Sequence, residues 1–190
     1  MRNHRIFAVQ GVQADGRIAA TTGPLTHRVR FGARVHFDEI TRDHTGDTYQ
    51  LVRQQMVQQT AGLRFDDDHD SAWAVAAYLS WGVSLGPVTV TPGARTELIW
   101  TRHMDHFTGV EILGEQYAFL PGIGAQVAVT RELAVFAGAH LGYSPVAPGS
   151  GPDVLPEVTW NYEVGARYGR ITDPTHGQLT FFASDYDNLS

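Results

Sequence analysis

The sequence contains no cysteine, and its 190 residues carry 14 basic side chains against 20 acidic ones. Without cysteine the chain has neither a disulfide framework nor a thiolate metal site. Without a clustered basic excess it lacks the charge pattern of a nucleic-acid-binding protein. We therefore expect no nucleic-acid partner.

Long apolar runs and helical periodicity are also missing. The longest uninterrupted apolar run covers residues 72–79, far below the ~20 residues that a membrane helix needs. The first twelve residues contain basic side chains but no apolar stretch of the length that a secretory signal requires. These absences exclude a helical membrane protein but leave membrane strands possible, because such strands need only about ten alternating residues.

What the sequence does have is a two-residue period along almost its whole length. Residues 27–40 show it most clearly, because Arg28, Arg30 and Arg34 share one parity and apolar side chains occupy the other. The period predicts eight strands, at approximately residues 4–20, 27–42, 71–85, 88–102, 117–129, 133–144, 157–169 and 177–188.

The connections between these segments alternate in length. Four are short, and the other three are long loops at about residues 43–70, 103–116 and 145–156. This asymmetry is typical of an all-β, antiparallel, up-and-down transmembrane β-barrel, with short periplasmic turns and long extracellular loops. Aromatic residues near the long-loop ends predict an aromatic girdle at the membrane surface. They are Trp73, Trp100, Tyr117, Phe119, Tyr143 and Trp160.

Four stretches together resemble the later barrel strands of TonB-dependent outer-membrane receptors, most closely the ferric-citrate type. They are VTVTPGARTE, LPGIGAQVAVTRELAVFAGAHLGYSP, PEVTWNYEVGARY and LTFFASDYDNL. The resemblance runs along most of residues 70–190, in the order of the family, and more loosely over residues 1–42.

This resemblance implies a barrel of ~22 strands with a plugged lumen, located in a Gram-negative outer membrane. It also implies uptake of iron chelates such as ferric citrate or siderophores, driven by the TonB complex through a plug domain. The sequence shows no plug domain and no early or final barrel strands. We therefore expect residues 1–190 to form a partial barrel domain of about eight consecutive strands.

The residues expected to face the lumen are candidates for ligand binding. They are Arg28, Arg30, Arg34, His36, Arg95, Glu97, Glu163 and Arg167. In one interpretation they attract an anionic iron chelate, because the planar guanidinium group matches a carboxylate with two hydrogen bonds. In the other they brace the inner wall as a lattice of ion pairs, and their spacing is compatible with both.

Other polar motifs carry less chemistry. The acidic stretch at residues 65–70 lacks the spaced oxygens and the glycine turn of a calcium loop, and a solvated loop is expected there. His103 and His106 have no obvious third ligand. We therefore predict no metal site, no cofactor and no catalytic residue.

Three functional hypotheses follow. The first is part of a TonB-dependent receptor in an outer membrane. The second is a complete small outer-membrane barrel with a structural or adhesion role. The third is a soluble β-sandwich that binds a ligand, in which the apolar face carrying Trp73, Leu79 and Trp81 packs between two sheets.

Overall fold

The structure, a computed structural model, describes residues 2–169 and 172–188. These residues form one antiparallel sheet, in which the order of the strands is their order in the sequence. No helix within the described residues has the length and hydropathy required to cross a membrane. The strands are β1 (Arg2–Thr22), β2 (Leu25–Val52), β3 (Gln55–Leu85), β4 (Val88–Asp105), β5 (Glu111–Ala128), β6 (Leu133–Ser144), β7 (Glu157–Tyr168) and β8 (Gly177–Asp187).

The eight predicted strands and their up-and-down order are confirmed. We call the end of the sheet that holds Gly23 and Gly86 the turn end, and the opposite end the loop end. At the loop end the predicted loop at residues 145–156 is present, whereas the one predicted at residues 103–116 shortens to residues 106–110.

The prediction of a long loop at residues 43–70 is wrong. Strands β2 and β3 stay paired as far as Val52 and Gln55, so the region is a β-hairpin that projects beyond the rest of the sheet. Its turn is Arg53–Gln54, with φ angles of 49° and 67°, as a two-residue hairpin turn requires. Most of the projecting ribbon is exposed, so its strands need no apolar alternation and the sequence gives no strand signal there.

The register of the ladders gives the sheet two chemically different faces. Directly opposed residues of antiparallel strands lie on the same face. Val29 lies opposite Trp81, and Val35 lies opposite Val75. We call this the apolar face. On the other side, which we call the polar face, Arg34 lies opposite Ala76.

The apolar face is an outer surface. The side chains of Trp73, Leu79 and Trp81 are 52%, 55% and 47% exposed, and no second sheet covers them in residues 2–169 and 172–188. The sandwich hypothesis is therefore wrong, because it required these residues to form a core between sheets. The alternation alone did not distinguish the two folds, because lipid and a second sheet both favour one apolar face.

Aromatic side chains mark one level of the apolar face near the loop end. Trp73 lies opposite Trp100, and its ring centroid is 4.9 Å from that of Phe37. A second level is marked by Trp81, eight residues further along β3. That interval is ~26 Å at about 3.3 Å per residue, or roughly 20 Å of height for a tilted strand. The spacing is close to the apolar band of outer-membrane barrels, about 25 Å tall.

The sheet is open rather than closed on itself. Strands β1 and β8 are its two edges, and no pairing joins them in the part of the chain that the structure describes. A complete small barrel, the second functional hypothesis, would require such pairing because an open edge is costly in lipid.

The two faces predict opposite responses to a new charge. Ala77 lies on the apolar face midway between the two aromatic levels, so the substitution Ala77→Arg should cost about 2–4 kcal/mol. The matched substitution Gln126→Arg is on the polar face, where Gln126 opposes Thr89. It should change stability by less than about 1 kcal/mol. Equilibrium unfolding by denaturant in phospholipid bilayers measures both, and equal costs would contradict the assignment of the faces.

Candidate functional site

The polar face contains all eight residues that the sequence predicted to face the lumen. Arg34, Ala76 and Glu97 form one line across β2, β3 and β4. On the other half of the sheet, Glu163 opposes Gly138, which opposes Gly124. The eight residues are Arg28, Arg30, Arg34 and His36 on β2, Arg95 and Glu97 on β4, and Glu163 and Arg167 on β7.

Arg28, Arg30 and Arg34, which we call the arginine row, are exposed and lie in the half of β2 nearer the turn end. Arg30 faces another arginine, Arg17, directly across the β1–β2 ladder, a pairing that is unfavourable for like charges. Within residues 2–169 and 172–188 none of the three takes part in an ion pair. The row therefore presents uncompensated positive charge.

The acidic residue nearest to this row in the register does not neutralise it. Asp15 opposes Gly32, between Arg30 and Arg34. Its carboxylate instead accepts hydrogen bonds from the Tyr78 hydroxyl at 2.7 Å and from the Gln13 side-chain amide at 2.8 Å.

The other predicted residues include one compact ion pair. The Nε of Arg95 donates to Glu97 at 2.5 Å. Arg167 donates from Nε to Gln178 at 3.0 Å, and its guanidinium lies 5.6 Å from the centre of the Phe136 ring. The ion-pair interpretation thus describes Arg95 and Glu97 but not the arginine row.

His36 occupies a partly buried position between the arginine row and the loop end. Its Nε2 lies 3.5 Å from a carboxylate oxygen of Asp38. The His36 Nδ1 and the Asp38 Oδ1 are buried and have no hydrogen-bond partner among the described residues. This pair is therefore less well satisfied than the other polar groups of the face.

A second feature of the polar face lies at the loop end and was missed by the sequence analysis. Arg42 donates from Nη1 to both oxygens of Asp68, at 3.0 and 2.9 Å, and from Nη2 to Asp70 at 2.6 Å. The other oxygen of Asp70 lies 2.6 Å from Nδ1 of His103. We call the whole group the loop-end ion cluster. It comprises Arg5, Arg42, His44, Asp66, Asp68, Asp70 and His103.

The cluster links four strands and is largely shielded from water. The side chain of Asp70 is only 4% exposed, so Arg42 and His103 rather than water contact its carboxylate. His44 lies 3.2 Å from Asp66, while its Nε2 lies 3.3 Å from Nε of Arg5. Because the Arg5 guanidinium can only donate, the Nε2 of His44 accepts and its Nδ1 carries the proton.

Two carboxyl groups lie close together within the cluster. Burial, followed by the hydrogen bond and the negative charge of Asp68, raises the pKa of the Asp66 carboxyl, against the opposing effects of His44 and Arg42. The neutral form of Asp66 is thus favoured relative to a free aspartate.

A signal for the cluster was present in the sequence. Asp66, Asp68 and Asp70 share the parity of the polar face, and Arg42 continues the parity of the arginine row. The expectation of a solvated loop at residues 65–70 is wrong, because these residues belong to β3 and Asp68 and Asp70 are buried. The predicted strand begins at residue 71, whereas β3 begins at Gln55, so the three aspartates lie outside the predicted strand.

The loop at residues 145–156 folds onto the polar face. The side-chain amide of Gln116 donates to the Val146 carbonyl at 2.9 Å, and its oxygen accepts from the Val146 N–H at 2.8 Å. Further along, Gly149 lies against the imidazole of His103, so closely that a Cβ at this residue would be 2.7 Å from the ring. Pro148 lines a cavity of about 210 Å³ together with Phe7 and other residues of the first three strands.

No group of three or more His, Asp or Glu side chains in the described ranges has the arrangement of a metal site. What the polar face can do is electrostatic. It presents free positive charge near the turn end and compensated charge at the loop end.

The ion cluster predicts a large cost for removing one buried charge. Asp70→Asn leaves Arg42 and His103 without their shared carboxylate and should lower the free energy of unfolding by about 3 kcal/mol. The control Glu111→Gln breaks the contact to Arg102, in which the two side chains are 41% and 52% exposed, and should cost less than about 1 kcal/mol. Denaturant unfolding of the two variants checks this, and a cost for Asp70→Asn no larger than that of the control would contradict it.

A pH dependence is expected at the connection between β4 and β5. The hydroxyl of Thr108 and the N–H of Phe107 donate to Asp105 and hold the pKa of this carboxyl below its ordinary value of 3.8. The stabilisation that these hydrogen bonds give to the connection is therefore fully present above pH 3.8, and it is lost as the pH falls through the lowered pKa of Asp105. Proteolysis of residues 105–110 should accelerate in that range. Asp105→Ala has no side-chain acceptor for these donors and should cleave quickly at every pH, and slow cleavage of this variant would contradict the prediction.

Solved structures share this fold. The ferric citrate transporter FecA in its unliganded form has 21% identity and a TM-score of 0.82, over 97% of this chain and 28% of that chain. The ferric-catecholate import receptor Fiu from E. coli K12 has 13% identity and a TM-score of 0.71, over 96% and 31%. The siderophore receptor PiuA from Acinetobacter baumannii has 12% identity and a TM-score of 0.69, over 94% and 32%.

The chain thus spans about a third or less of the structures that it resembles. No curated protein sequence matches it. It does match, over residues 3–190, the family described as TonB dependent receptor-like, beta-barrel. Because that match covers almost the whole chain and agrees with the up-and-down sheet, the chain belongs to the TonB-dependent receptor β-barrel family.

Proposed function

We propose that the chain forms part of the ligand-facing wall of a receptor that takes up anionic iron chelates, of the ferric citrate or siderophore type, across a Gram-negative outer membrane. The observation that carries the proposal is the arginine row, whose guanidinium groups are exposed on the polar face and have no ion-pair partner in the described part of the chain. The family consists of transport receptors, and FecA and PiuA have names that refer to ferric citrate and siderophores.

The chemistry of the row suits such a ligand. A guanidinium group donates two parallel hydrogen bonds to one carboxylate, and it keeps its charge at every physiological pH. Arg28, Arg30 and Arg34 are two and four residues apart on one strand face, so their Cα atoms lie ~7 and ~13 Å apart along the strand. A ligand with several carboxylates can bridge this spacing, and the like charges of Arg17 and Arg30 are relieved when it binds.

The remaining predicted residues have different parts in this proposal. Arg167 keeps donors beyond its one bond to Gln178, so it contributes donors to the ligand. His36 lies beside Asp38 and its Nδ1 is buried, so it acts on the local charge rather than as a direct donor. Arg95 and Glu97 already form a pair, and Glu163 is negative. These residues set the local charge rather than the affinity for an anion.

The proposal also assigns the partners of the two faces. The apolar face contacts the acyl chains of the membrane, because its aromatic levels enclose a band of about membrane height. The polar face contacts the ligand and the plug domain through which TonB supplies energy in this family. No catalytic role is assigned to any residue.

Removing the arginine row should weaken the uptake of an anionic chelate. Arg28→Ala, Arg30→Ala and Arg34→Ala together remove three unpaired charges. We expect the affinity for ferric citrate to fall by about tenfold or more, because charge-assisted hydrogen bonds contribute about 1.5 kcal/mol or more each. Binding to the full-length receptor in detergent and uptake of radiolabelled iron by cells measure the loss.

The control for this experiment removes three arginines that lie off the polar face. They are Arg53 at the hairpin tip, Arg64 in the projecting hairpin, whose partners Asp43 and Asp67 are on the apolar parity, and Arg102 on the apolar parity of β4. This triple variant should bind ferric citrate as the parent does. The proposal is wrong if both triple variants bind equally well, or if the loss in the arginine-row variant does not diminish at high salt, which screens exposed charges.

A further inference from the structure

The ladder between β5 and β6 is incomplete. It runs from Ala128 opposite Ala134 only as far as Gly122 opposite His140. Beyond this point β5 continues toward the loop end paired with β4, and β6 continues to Ser144 paired with β7. In the described residues the two strands therefore separate in the half of the sheet nearer the loop end. We call the gap between them the seam.

A proline explains where the seam begins. In β4, Pro92 lacks an N–H, and the ladder to β3 is interrupted at Pro92, so the hydrogen-bonding side of Pro92 faces β3. Hydrogen-bonded and non-hydrogen-bonded pairs alternate along an antiparallel ladder. Pro92 opposes Ile123, and because the hydrogen-bonding side of Pro92 faces β3, this pair is not hydrogen-bonded and the backbone groups of Ile123 point toward β6. Pro121 lies two residues before Ile123, so its backbone points the same way. The donor that β6 would need at Pro121 does not exist.

A second proline prevents the seam from closing further up. If the register of the ladder continued, Leu141 would oppose Pro121, Tyr143 would oppose Phe119 and residue 145 would oppose Tyr117. Residue 145 is also a proline. Two of these three pairs would then lack a backbone donor, so continued pairing would add few hydrogen bonds. The chain after β6 therefore leaves β5 at this level.

The side chain of Gln116 takes the place of the missing ladder. It donates to the Val146 carbonyl and accepts from the Val146 N–H, which is the exchange that a strand residue makes with its partner. The same Gln116 oxygen accepts from the Tyr143 hydroxyl at 2.9 Å. Gln116 lies on the polar face, opposite Ile99, so these bonds draw residues 143–146 toward that face.

We propose that residues 145–156 form a strap that the fold itself holds over the loop-end ion cluster without any bound ligand, and that Gln116 is its positioning residue. The strap places Gly149 on the ring of His103, and only a residue without a side chain fits there. Gly149 also has a φ of 79°, which favours glycine. Pro148 then covers the cavity beside Asp70. The strap is independent of which ligand the receptor transports.

Hydrogen exchange on the full-length receptor in detergent, in buffer free of iron and chelators, tests this proposal. The N–H groups of Val146, Ser150 and Val154 donate within the strap or to Gln116. A peptide that covers residues 145–156 should therefore exchange more slowly than an unstructured peptide of the same sequence. Exchange of the parent protein at the unstructured rate would overturn the proposal.

Substitutions at Gln116 test its role as the positioning residue. Gln116→Met keeps the volume of the side chain but removes all three hydrogen bonds, so the strap should exchange about tenfold faster or more. The control Gln126→Met changes the same residue type on the same strand and face, away from the strap, and should leave exchange unchanged. Unaltered protection in Gln116→Met, or equal loss in both variants, would overturn the role of Gln116.

A second readout separates positioning from general destabilisation. In Gln116→Met the peptides of β5 and β4 should keep the protection of the parent, because the ladder between these strands does not involve the Gln116 side chain. Faster exchange of β4 and β5 to the same degree as the strap would show a merely structural effect and overturn the assignment. Neither outcome depends on ligand binding, so the strap and the proposed uptake function can fail separately.

Discussion

The structure depends on the register of the antiparallel ladders. Because opposed residues share a face, the alternation of β2 is transferred strand by strand to the whole sheet. Val29 fixes the side of Trp81, and Arg34 fixes the side of Ala76 and then of Glu97. A shift by one residue would carry the arginine row to the apolar face, where a charge costs several kcal/mol near the middle of a bilayer. Lipid therefore selects a single register.

The charged residues of the polar face differ between the two ends of the sheet. Near the turn end, within the apolar band, arginines are exposed and unpaired in the described residues. At the loop end, above the band, Arg42 and His103 are matched to Asp68 and Asp70, and Gly149 lies on the ring of His103. Free and compensated charge thus occupy different levels. In the proposed function, the free charge attracts the ligand and the compensated charge supports the wall.

Much of the fold could be predicted from the sequence, because one-sided burial imposes the two-residue period that the strands follow. The period also placed all eight candidate residues on one face. It could not predict the projecting hairpin, where exposure on both sides of the ribbon removes the period. Nor could it predict the ion cluster, because that requires knowing which residues of the two neighbouring strands lie beside Asp70. It could not predict the seam at Pro121 either, because that requires knowing toward which strand each backbone group points. These features depend on register, and a single strand carries no register.

The central claim is that the arginine row and the apolar residues between them face opposite environments. Single spin labels placed in turn at residues 28–35 of the full-length receptor in lipid bilayers test it most directly, through their collision rates with oxygen and with a water-soluble nickel chelate. We expect a period of two, with labels at residues 29, 31 and 35 more accessible to oxygen and labels at residues 28, 30 and 34 more accessible to nickel. Accessibility that does not alternate, or that alternates in the opposite phase, would contradict it.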